Sequence, residues 1–261
     1  MRKKILVLAV SVFFIFISTP SVSSGGQPND ESSACVSRGY IQFVNSNYDG
    51  AISEFTQAVT IDPKNATAYY QRAKVYEYLD KFDDAVKDYC NVINADQTFG
   101  SAYYYRGVIY QKQGRLEDAI ADYTSIIELK SCIPALKANA YNNRGLAYDR
   151  KNQYDQAVAD FTNAIDILPD QINAYYNRGL TYINMQLYPL AKADLDKELS
   201  QHPDMTIAKH YKLALTYYVA NEFEKAYEEI LMLENVAEKI NPVFIENIKK
   251  HLTLKTVEPK K

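Results

Sequence analysis

Apolar residues recur at helical spacing in two consecutive segments between residues 138 and 171. The first segment carries Tyr141, Gly145 and Tyr148, which are three to four residues apart. The second segment continues the same spacing through Tyr154, Ala157, Phe161, Ala164 and Ile165. Pro169 follows, and a proline cannot continue a helix because it lacks an N–H and clashes with the preceding turn. We therefore predict two amphipathic helices that end before Pro169.

This pattern repeats along the chain with a period of 34 residues. A weaker sixth copy begins at residue 207, after five copies that span residues 32–65, 66–99, 100–133, 138–171 and 172–205. Places within each copy are counted from its first residue. Residues 134–137 are an insertion that we expect to lengthen one loop. Because a solenoid grows by adding units that contact only their neighbours, 261 residues need not form several domains.

The segments that flank the repeats have different compositions. Residues 25–31 are rich in Gly, Pro and short polar side chains, and we predict a flexible leader there. Residues 241–255 are predicted to form a helix with an apolar stripe, which includes Phe244 and Ile248, beside charged residues. A terminal helix with a polar face covers the open end of a solenoid. The tail, residues 256–261, is predicted to be disordered.

The first 24 residues resemble a secretory signal. A basic start, Arg2 to Lys4, precedes thirteen residues that are apolar except for Ser11, and small polar residues follow. This apolar run is shorter than the ~20 residues that a membrane-spanning helix needs. We expect cleavage after Ser23 or Ser24 and export to the periplasm or the medium. Anchoring by an uncleaved segment is the less favoured alternative.

Net charge and histidine placement argue against several function classes. The formal net charge is −3, which gives no reason to expect binding to nucleic acid. His202, His210 and His251 are not spaced with cysteine or carboxylate residues as metal or nucleophilic chemistry requires. No glycine-rich loop that could hold a phosphate is present in the sequence. We therefore expect no enzyme activity, no cofactor and no metal.

The three cysteines, Cys35, Cys90 and Cys132, match neither a metal motif nor a disulfide framework. In an exported protein two of them could still form one bridge. The alternative is that Cys35 and Cys90 are small apolar helix residues.

The six copies together resemble the tetratricopeptide repeat, a 34-residue helix–turn–helix unit. Place 8 is Gly or Ala and place 20 is Ala, as at Gly145 and Ala157, which lets the two helices of a hairpin approach closely. The resemblance covers residues 32–240. It implies an all-α, right-handed solenoid of six helix hairpins followed by a C-terminal capping helix.

Opposite charges recur at one fixed offset in the first five copies. Place 7 is always arginine and place 23 is always acidic, which gives Arg38 and Glu54, Arg72 and Asp88, Arg106 and Asp122, Arg144 and Asp160, and Arg178 and Asp194. We predict an ion pair within each hairpin or between neighbouring hairpins. The sixth copy keeps Glu229 but has Leu213 at place 7, so we expect that carboxylate to be solvated.

In the tetratricopeptide family, one face of each first helix lines a concave groove that binds extended peptides or partner helices. By this resemblance the groove is lined by Tyr70, Lys74, Tyr104, Tyr105, Val108, Asn139, Asn142, Asn143, Leu146, Arg150, Tyr176, Asn177 and Leu180. Asparagine can donate to and accept from a peptide backbone at once, and tyrosine offers contact area at a low entropy cost. Asn143 and Asn177 share place 6, and we expect them to form a short ladder.

The resemblance implies a non-enzymatic scaffold or adaptor that buries a segment of a protein or peptide partner in this groove. The export signal and the repeats are similar to those of bacterial cell-envelope assembly factors. Two alternatives remain, namely a secreted effector or adaptor and an accessory subunit that holds an enzyme.

Overall fold

The computed structural model describes residues 28–170, 173–201, 206–234 and 242–255. Within these ranges the chain forms thirteen helices and no strand: α1 (Pro28–Val44), α2 (Tyr48–Ile61), α3 (Ala66–Tyr78), α4 (Phe82–Ala95), α5 (Gly100–Lys112), α6 (Leu116–Glu128), α7 (Pro134–Arg150), α8 (Tyr154–Ile167), α9 (Ala174–Asn184), α10 (Tyr188–Gln201), α11 (Thr206–Val219), α12 (Phe223–Glu234) and α13 (Pro242–Lys255). The expected signal, residues 1–24, and the expected tail, residues 256–261, lie outside the described residues. No described helix is long and apolar enough to cross a membrane.

Consecutive helices pair into six hairpins, α1–α2 to α11–α12, and each hairpin packs against the next. The all-α solenoid predicted from the 34-residue period is therefore confirmed. Two helices, α2 and α3, begin where side chains cap them. Asn47 accepts a hydrogen bond from the backbone N–H of Gly50, and Asn65 accepts one from Ala68. Each bond satisfies one of the N–H groups that a helix start leaves unpaired.

Every hairpin turns through a residue in the left-handed backbone region at place 15. Their φ angles lie between 57° and 76°, and the residues are Ser46, Asp80, Gly114, Asn152, Gln186 and Asn221. The next N–H then bonds back to the last turn of the first helix, as Gln153 N does to Tyr148 O at 2.9 Å. This bond closes the helix end and sets the direction of the second helix. The turn is thus the same in all six hairpins, although only one of them uses glycine.

Glycine at place 8 lets the two helices of a hairpin touch. A Cβ atom at Gly145 would lie 2.8 Å from the Phe161 ring, and one at Gly107 would lie 2.9 Å from the Tyr123 ring. The aromatic ring at place 24 therefore occupies the space that a larger side chain at place 8 would need. This contact confirms the close helix approach expected from the sequence.

Two segments expected to be irregular are helical. Residues 28–31, assigned to the flexible leader, form the first turn of α1, and residues 134–137, assigned to a loop, form the first turn of α7. Both helices begin with a proline, which suits the first position because its missing N–H would have no intrahelical partner there. Ser32 then anchors α1, because its hydroxyl donates to Ala58 O at 2.9 Å and accepts from Asn65 Nδ2 at 2.8 Å.

The terminal helix α13 packs on α12 and reaches back to α9, the first helix of the fifth hairpin. Phe244 and Ile248 of α13 are fully buried in one cluster with residues of α9 to α12. The helix therefore covers the last two hairpins, as expected of a cap. Helix α13 lies across the side of the solenoid that the first helices form.

Candidate functional site

The first helices form the inner side of the solenoid. Helix α1 contacts α3, α5 contacts α7, and α7 contacts α9, whereas no pair of described second helices makes a contact of that extent. Because the first helices are closer together than the second helices, the array curves toward them. Their exposed faces therefore form a concave surface.

Aromatic side chains dominate this surface at the second and third hairpins. The Tyr70 ring lies 5.0 Å from that of Phe99 and 6.1 Å from that of Tyr105, measured between ring centroids. The Lys74 ammonium sits 3.6 Å from the centroid of Tyr105 and also pairs with Glu77. Lys74 is therefore held by a cation–π contact and an ion pair, and its charge is partly neutralised.

Amide side chains continue the surface through the third, fourth and fifth hairpins. Asn143 Nδ2 donates to the Tyr104 hydroxyl at 3.2 Å, and Asn177 Nδ2 donates to Asn142 Oδ1 at 2.9 Å. Each place-6 asparagine thus reaches back to place 5 of the preceding hairpin. Successive hairpins are therefore offset, which brings place 6 beside place 5 of the preceding hairpin.

Tyr70 and Tyr104 of this surface stay protonated at physiological pH. Burial raises the pKa of Tyr70, and the neighbouring Tyr105 raises it further. Burial also raises the pKa of Tyr104, although the hydrogen bond with Asn143 acts in the opposite direction. Their hydroxyl groups are therefore neutral and can donate as well as accept hydrogen bonds.

A row of polar side chains at place 12 lies beside these residues. These side chains are not among the groove residues that the family resemblance predicted. Glu77 accepts from the Tyr89 hydroxyl at 3.1 Å, and Gln111 accepts from the Tyr123 hydroxyl at 3.0 Å. Asp149 accepts from Thr181 Oγ1 at 2.7 Å. The sequence could have indicated this row, because place 12 is polar in three successive copies.

The remaining predicted groove residues differ in exposure. Asn139 and Arg150 are exposed, and Val108 and Leu146 are half-buried on the same side. Tyr176 and Leu180 pack against the cluster that contains Phe244 and Ile248 of α13, so the C-terminal part of the surface is already occupied. The structure therefore brings the predicted residues of α3, α5 and α7 together on an open surface. Of the predicted α9 residues, Tyr176 and Leu180 are withdrawn, whereas Asn177 stays on the surface beside Asn142 of α7.

The arginines at place 7 lie between the two helices of a hairpin and not on the concave surface. Arg144 donates from Nε and Nη2 to the two oxygens of Asp160, each at 2.8 Å, and from Nη1 to Thr124 of the preceding hairpin. The same two-bond arrangement joins Arg72 to Asp88, Arg106 to Asp122 and Arg178 to Asp194. The hydrogen bond to Asp160 is the main reason why the pKa of Arg144 is raised. The predicted ion pairs are confirmed.

The sixth hairpin replaces arginine with two side chains. His210 Nδ1 lies 2.7 Å from Glu229 Oε2, and Lys212 pairs with Asp196 of the fifth hairpin. The expectation that Glu229 is solvated is therefore wrong. His210 stands one helical turn before Leu213, on the same face, and so reaches the same carboxylate.

The described residues hold no group of three His, Cys, Asp or Glu side chains that could bind a metal ion. All three cysteines are free thiols. Cys90 accepts a hydrogen bond from Arg106 at 3.0 Å, where the flanking hairpins have the hydroxyls of Thr56 and Thr124. Cys90 thus takes part in the arginine contacts between hairpins.

Comparison with known families and structures agrees with this architecture. The tetratricopeptide repeat family matches residues 66–99, 100–131 and 138–171, and a TPR repeat family matches residues 39–80. No curated protein sequence matches.

Several solved structures are similar. The crystal structure of MamA is 27% identical and superposes with a TM-score of 0.58 over 63% of this chain and 94% of that one. YrrB, a TPR protein with an unusual peptide-binding site, is 23% identical, with a TM-score of 0.60 over 70% of this chain and 93% of its own. PilW, a type IV pilus biogenesis factor, is 16% identical, with a TM-score of 0.63 over 83% and 97%.

Proposed function

Because this chain belongs to the tetratricopeptide repeat family, we propose that it is a non-enzymatic scaffold that binds a segment of a partner protein on the concave surface formed by α3, α5, α7 and the adjoining Asn177 of α9. The observation that carries this proposal is the chemistry of that surface. Neutral tyrosine and asparagine side chains form its centre, and Lys74 is paired with Glu77. Such a surface suits an uncharged polypeptide backbone better than a single charged group.

The hydrogen bonds between neighbouring hairpins leave capacity for a ligand. A side-chain amide can make about four hydrogen bonds, two as donor and two as acceptor. Asn143 bonds to Tyr104 and Tyr123, and Asn177 uses one N–H toward Asn142, and both amides are half-buried. These bonds fix the orientation of the amides before a partner arrives, which lowers the entropy cost of binding. An extended segment can then bind to amides from successive hairpins.

The proposed cellular role is assembly of the cell envelope. The signal-like first 24 residues support export, and the likeness to PilW supports a fold that such assembly factors use. A secreted adaptor is the first alternative, and recovery of the processed chain from the medium but not from the periplasm would favour it. An accessory subunit is the second, and it predicts an enzyme at equal stoichiometry in a pull-down.

The decisive experiment replaces the two asparagines that donate the hydrogen bonds between hairpins. Asn143→Ala with Asn177→Ala should weaken partner capture by about tenfold, because two hydrogen-bonding groups at the centre of the surface are lost. Asn94→Ala with Asn163→Ala is the matched control, since both of those asparagines are exposed on second helices. Circular dichroism should show equal helix content for both variants. Unchanged capture by the first variant would show that the concave surface is not the binding site.

A further inference from the structure

Helix α1 carries the residues that join each later hairpin to the one before it. In hairpins 2 to 5 the alanine at place 3 is fully buried, at Ala68, Ala102, Ala140 and Ala174. The residue at place 10 is at most 1% exposed in the same hairpins, at Val75, Ile109, Ala147 and Thr181. Helix α1 has Ala34 and Ile41 at these two places, but both are exposed, Ile41 by 57%. The first hairpin thus has the residues of an internal hairpin, although no hairpin precedes it among the described residues.

The arginine at place 7 belongs to the same set. In hairpins 2 to 5 its Nη1 donates, at 2.8 to 3.0 Å, to the place-25 side chain of the preceding second helix, which is Thr56, Cys90, Thr124 or Thr162. Arg38 of the first hairpin donates to Glu54 and Cys35, and its side chain is 48% exposed. The internal arginines therefore contact two hairpins each, whereas within the described residues Arg38 contacts only its own.

Ala34, Arg38 and Ile41 are spaced by four and three residues, so they lie on one face of α1. We call these three residues the N-terminal end face. The other end of the solenoid is covered, since α13 packs on α12 and the Lys249 ammonium lies 5.4 Å from the centroid of the Tyr227 ring. A repeat that ends an array needs a polar outer face. The N-terminal end face has alanine and isoleucine instead, and it therefore presents a packing surface.

The internal junctions show the chemistry that such a face binds. At the first junction, Val75 packs with Ala51 and Phe55 of α2, and Arg72 donates to Thr56. The same order recurs in α4, α6 and α8, where an alanine is followed after four residues by an aromatic residue and then by cysteine or threonine. A helix with alanine at i, an aromatic residue at i+4 and threonine or cysteine at i+5 therefore fits the N-terminal end face.

Two occupants from this chain match the face less well. The place-25 residue of the last hairpin is Leu231, whose side chain cannot accept a hydrogen bond, so the C-terminal end of a second copy does not continue the series. An antiparallel pair of α1 helices from two copies would bring both copies of Arg38 together, because Arg38 is in the middle of the face. In the apolar run of residues 5–17, the one alanine, Ala9, is followed five residues later by Phe14. These features favour a helix of another protein.

We propose that the N-terminal end face binds a helix of a partner protein that carries alanine, an aromatic residue and threonine or cysteine at i, i+4 and i+5. The partner helix packs on α1 as α2 packs on α3, and Arg38 donates a hydrogen bond to its hydroxyl or thiol. The equivalent residues of hairpins 2 to 5 are buried between hairpins, so this face is separate from the concave surface. The proposal therefore does not depend on binding at that surface.

A peptide of residues 154–167, YDQAVADFTNAIDI, is the probe, because α8 has the required order of residues. A hydrocarbon staple between positions 159 and 163, both exposed in α8, holds the peptide helical, since an isolated helix of this length is marginal in water. Binding of the labelled peptide to the full-length chain is measured by fluorescence anisotropy. We expect saturable binding that Ile41→Asp weakens by about tenfold or more, because a carboxylate would be buried against apolar side chains. Ile133→Asp is the matched control, since Ile133 is 61% exposed and lies before α7.

The arginine contact has a separate test. Arg38→Ala in the chain, or Thr162→Val in the peptide, should weaken binding by about tenfold, because each change removes one partner of a hydrogen bond to a charged group. The two changes together should weaken binding about as much as either alone, since they remove the same bond. Losses that multiply would show that the threonine does not meet Arg38, and they would overturn the proposal.

Four further results would overturn it. The first is no saturation up to about 1 mM peptide, which corresponds to a negligible affinity. The second is binding that Ile41→Asp leaves unchanged, because the peptide would then replace α8 at its own place. The third is a concentration-dependent dimer that Ile41→Asp abolishes, since a second copy would then be the occupant. The fourth is tighter binding to the chain that begins at Gly25, since residues 1–24 would then occupy the face.

This test is independent of the test of the concave surface. Peptide binding by the Asn143→Ala with Asn177→Ala variant should be unchanged, because α7 and α9 do not contribute to the N-terminal end face. Capture of a partner on the concave surface can therefore fail while the peptide binds, and the reverse.

Discussion

The imidazole Nδ1 of His210 lies 2.7 Å from the carboxylate Oε2 of Glu229, in the hairpin where leucine stands at the arginine place. In the fifth hairpin, Arg178 bonds both to Asp194 of its own hairpin and to Thr162 of the preceding one. In the sixth hairpin, His210 contacts the carboxylate of its own hairpin, Glu229. Lys212 contacts the preceding hairpin, at Asp196. The junction between hairpins is thus kept by different side chains.

Removing the imidazole should weaken the last hairpin. We expect His210→Leu to destabilise α11 and α12 by about 1 kcal/mol, because both partners are only partly exposed, at 24% and 21%, and such pairs contribute little more than this. Adding Leu213→Arg should restore the loss by returning arginine to place 7. Hydrogen exchange of the α11 and α12 amides measures both effects. Equal protection in all three proteins would show that the pair does not support the hairpin.

Removing a buried arginine should cost more. Asp160 is 4% exposed, and Arg144→Ala would leave its carboxylate buried without the guanidinium. Breaking a buried pair in this way typically costs about 3 to 5 kcal/mol of the free energy of unfolding. Arg144→Lys should recover only part of it, since an ammonium cannot make two parallel bonds to one carboxylate. Urea unfolding followed by circular dichroism gives these free energies.

Arg38→Ala is the matched control for that series. The same place in the first hairpin pairs Arg38 with Glu54, but the Arg38 side chain is 48% exposed. We expect a loss below about 1 kcal/mol, because an exposed pair is solvated and screened. Equal losses for Arg38→Ala and Arg144→Ala would contradict the dependence on burial.

The contact between the fifth and sixth hairpins should weaken in acid. Desolvation, the largest single effect, raises the pKa of Asp196, but hydrogen bonds from Lys212 and Lys192 together outweigh it and lower the pKa. A carboxyl whose pKa is lower in the folded state stabilises that state above its unfolded pKa, and this contribution is lost as the pH falls below about 4. The difference between the urea midpoints of the native chain and Asp196→Asn should therefore be present at pH 7 and shrink as the pH falls below about 4. A constant difference would contradict the assignment.

The repeated pattern of apolar and small residues was sufficient to predict the fold. Gly145 and Phe161 sit at fixed places of a 34-residue period, and their contact follows from the helix hairpin that the period implies. Two helix starts were missed because Pro28 and Pro134 stand among residues whose composition suggests a loop, although proline also suits the first helical position.

Contacts between separate parts of the chain were harder to predict. The exchange of Arg for His210 moves the partner of the carboxylate by three residues, so a comparison of one place across the copies does not show it. The bond from Asn143 to Tyr104 depends on the offset between hairpins, which the period alone does not specify. The path of α13 across the inner side, with Phe244 against Tyr188, is a tertiary contact without a local signal. It removes Tyr176 and Leu180 from the expected groove.

The most direct test of the central claim is site-specific photo-crosslinking in the organism that makes the protein. A photoreactive phenylalanine analogue is placed at Val108 or Leu146 on the concave surface, and at Lys87 or Asn163 on exposed positions of second helices. We expect the two concave positions to crosslink to the same partner segment, identified by mass spectrometry, and the two outer positions to give no such product. Crosslinking from Lys87 and Asn163, with none from Val108 and Leu146, would contradict a concave binding site.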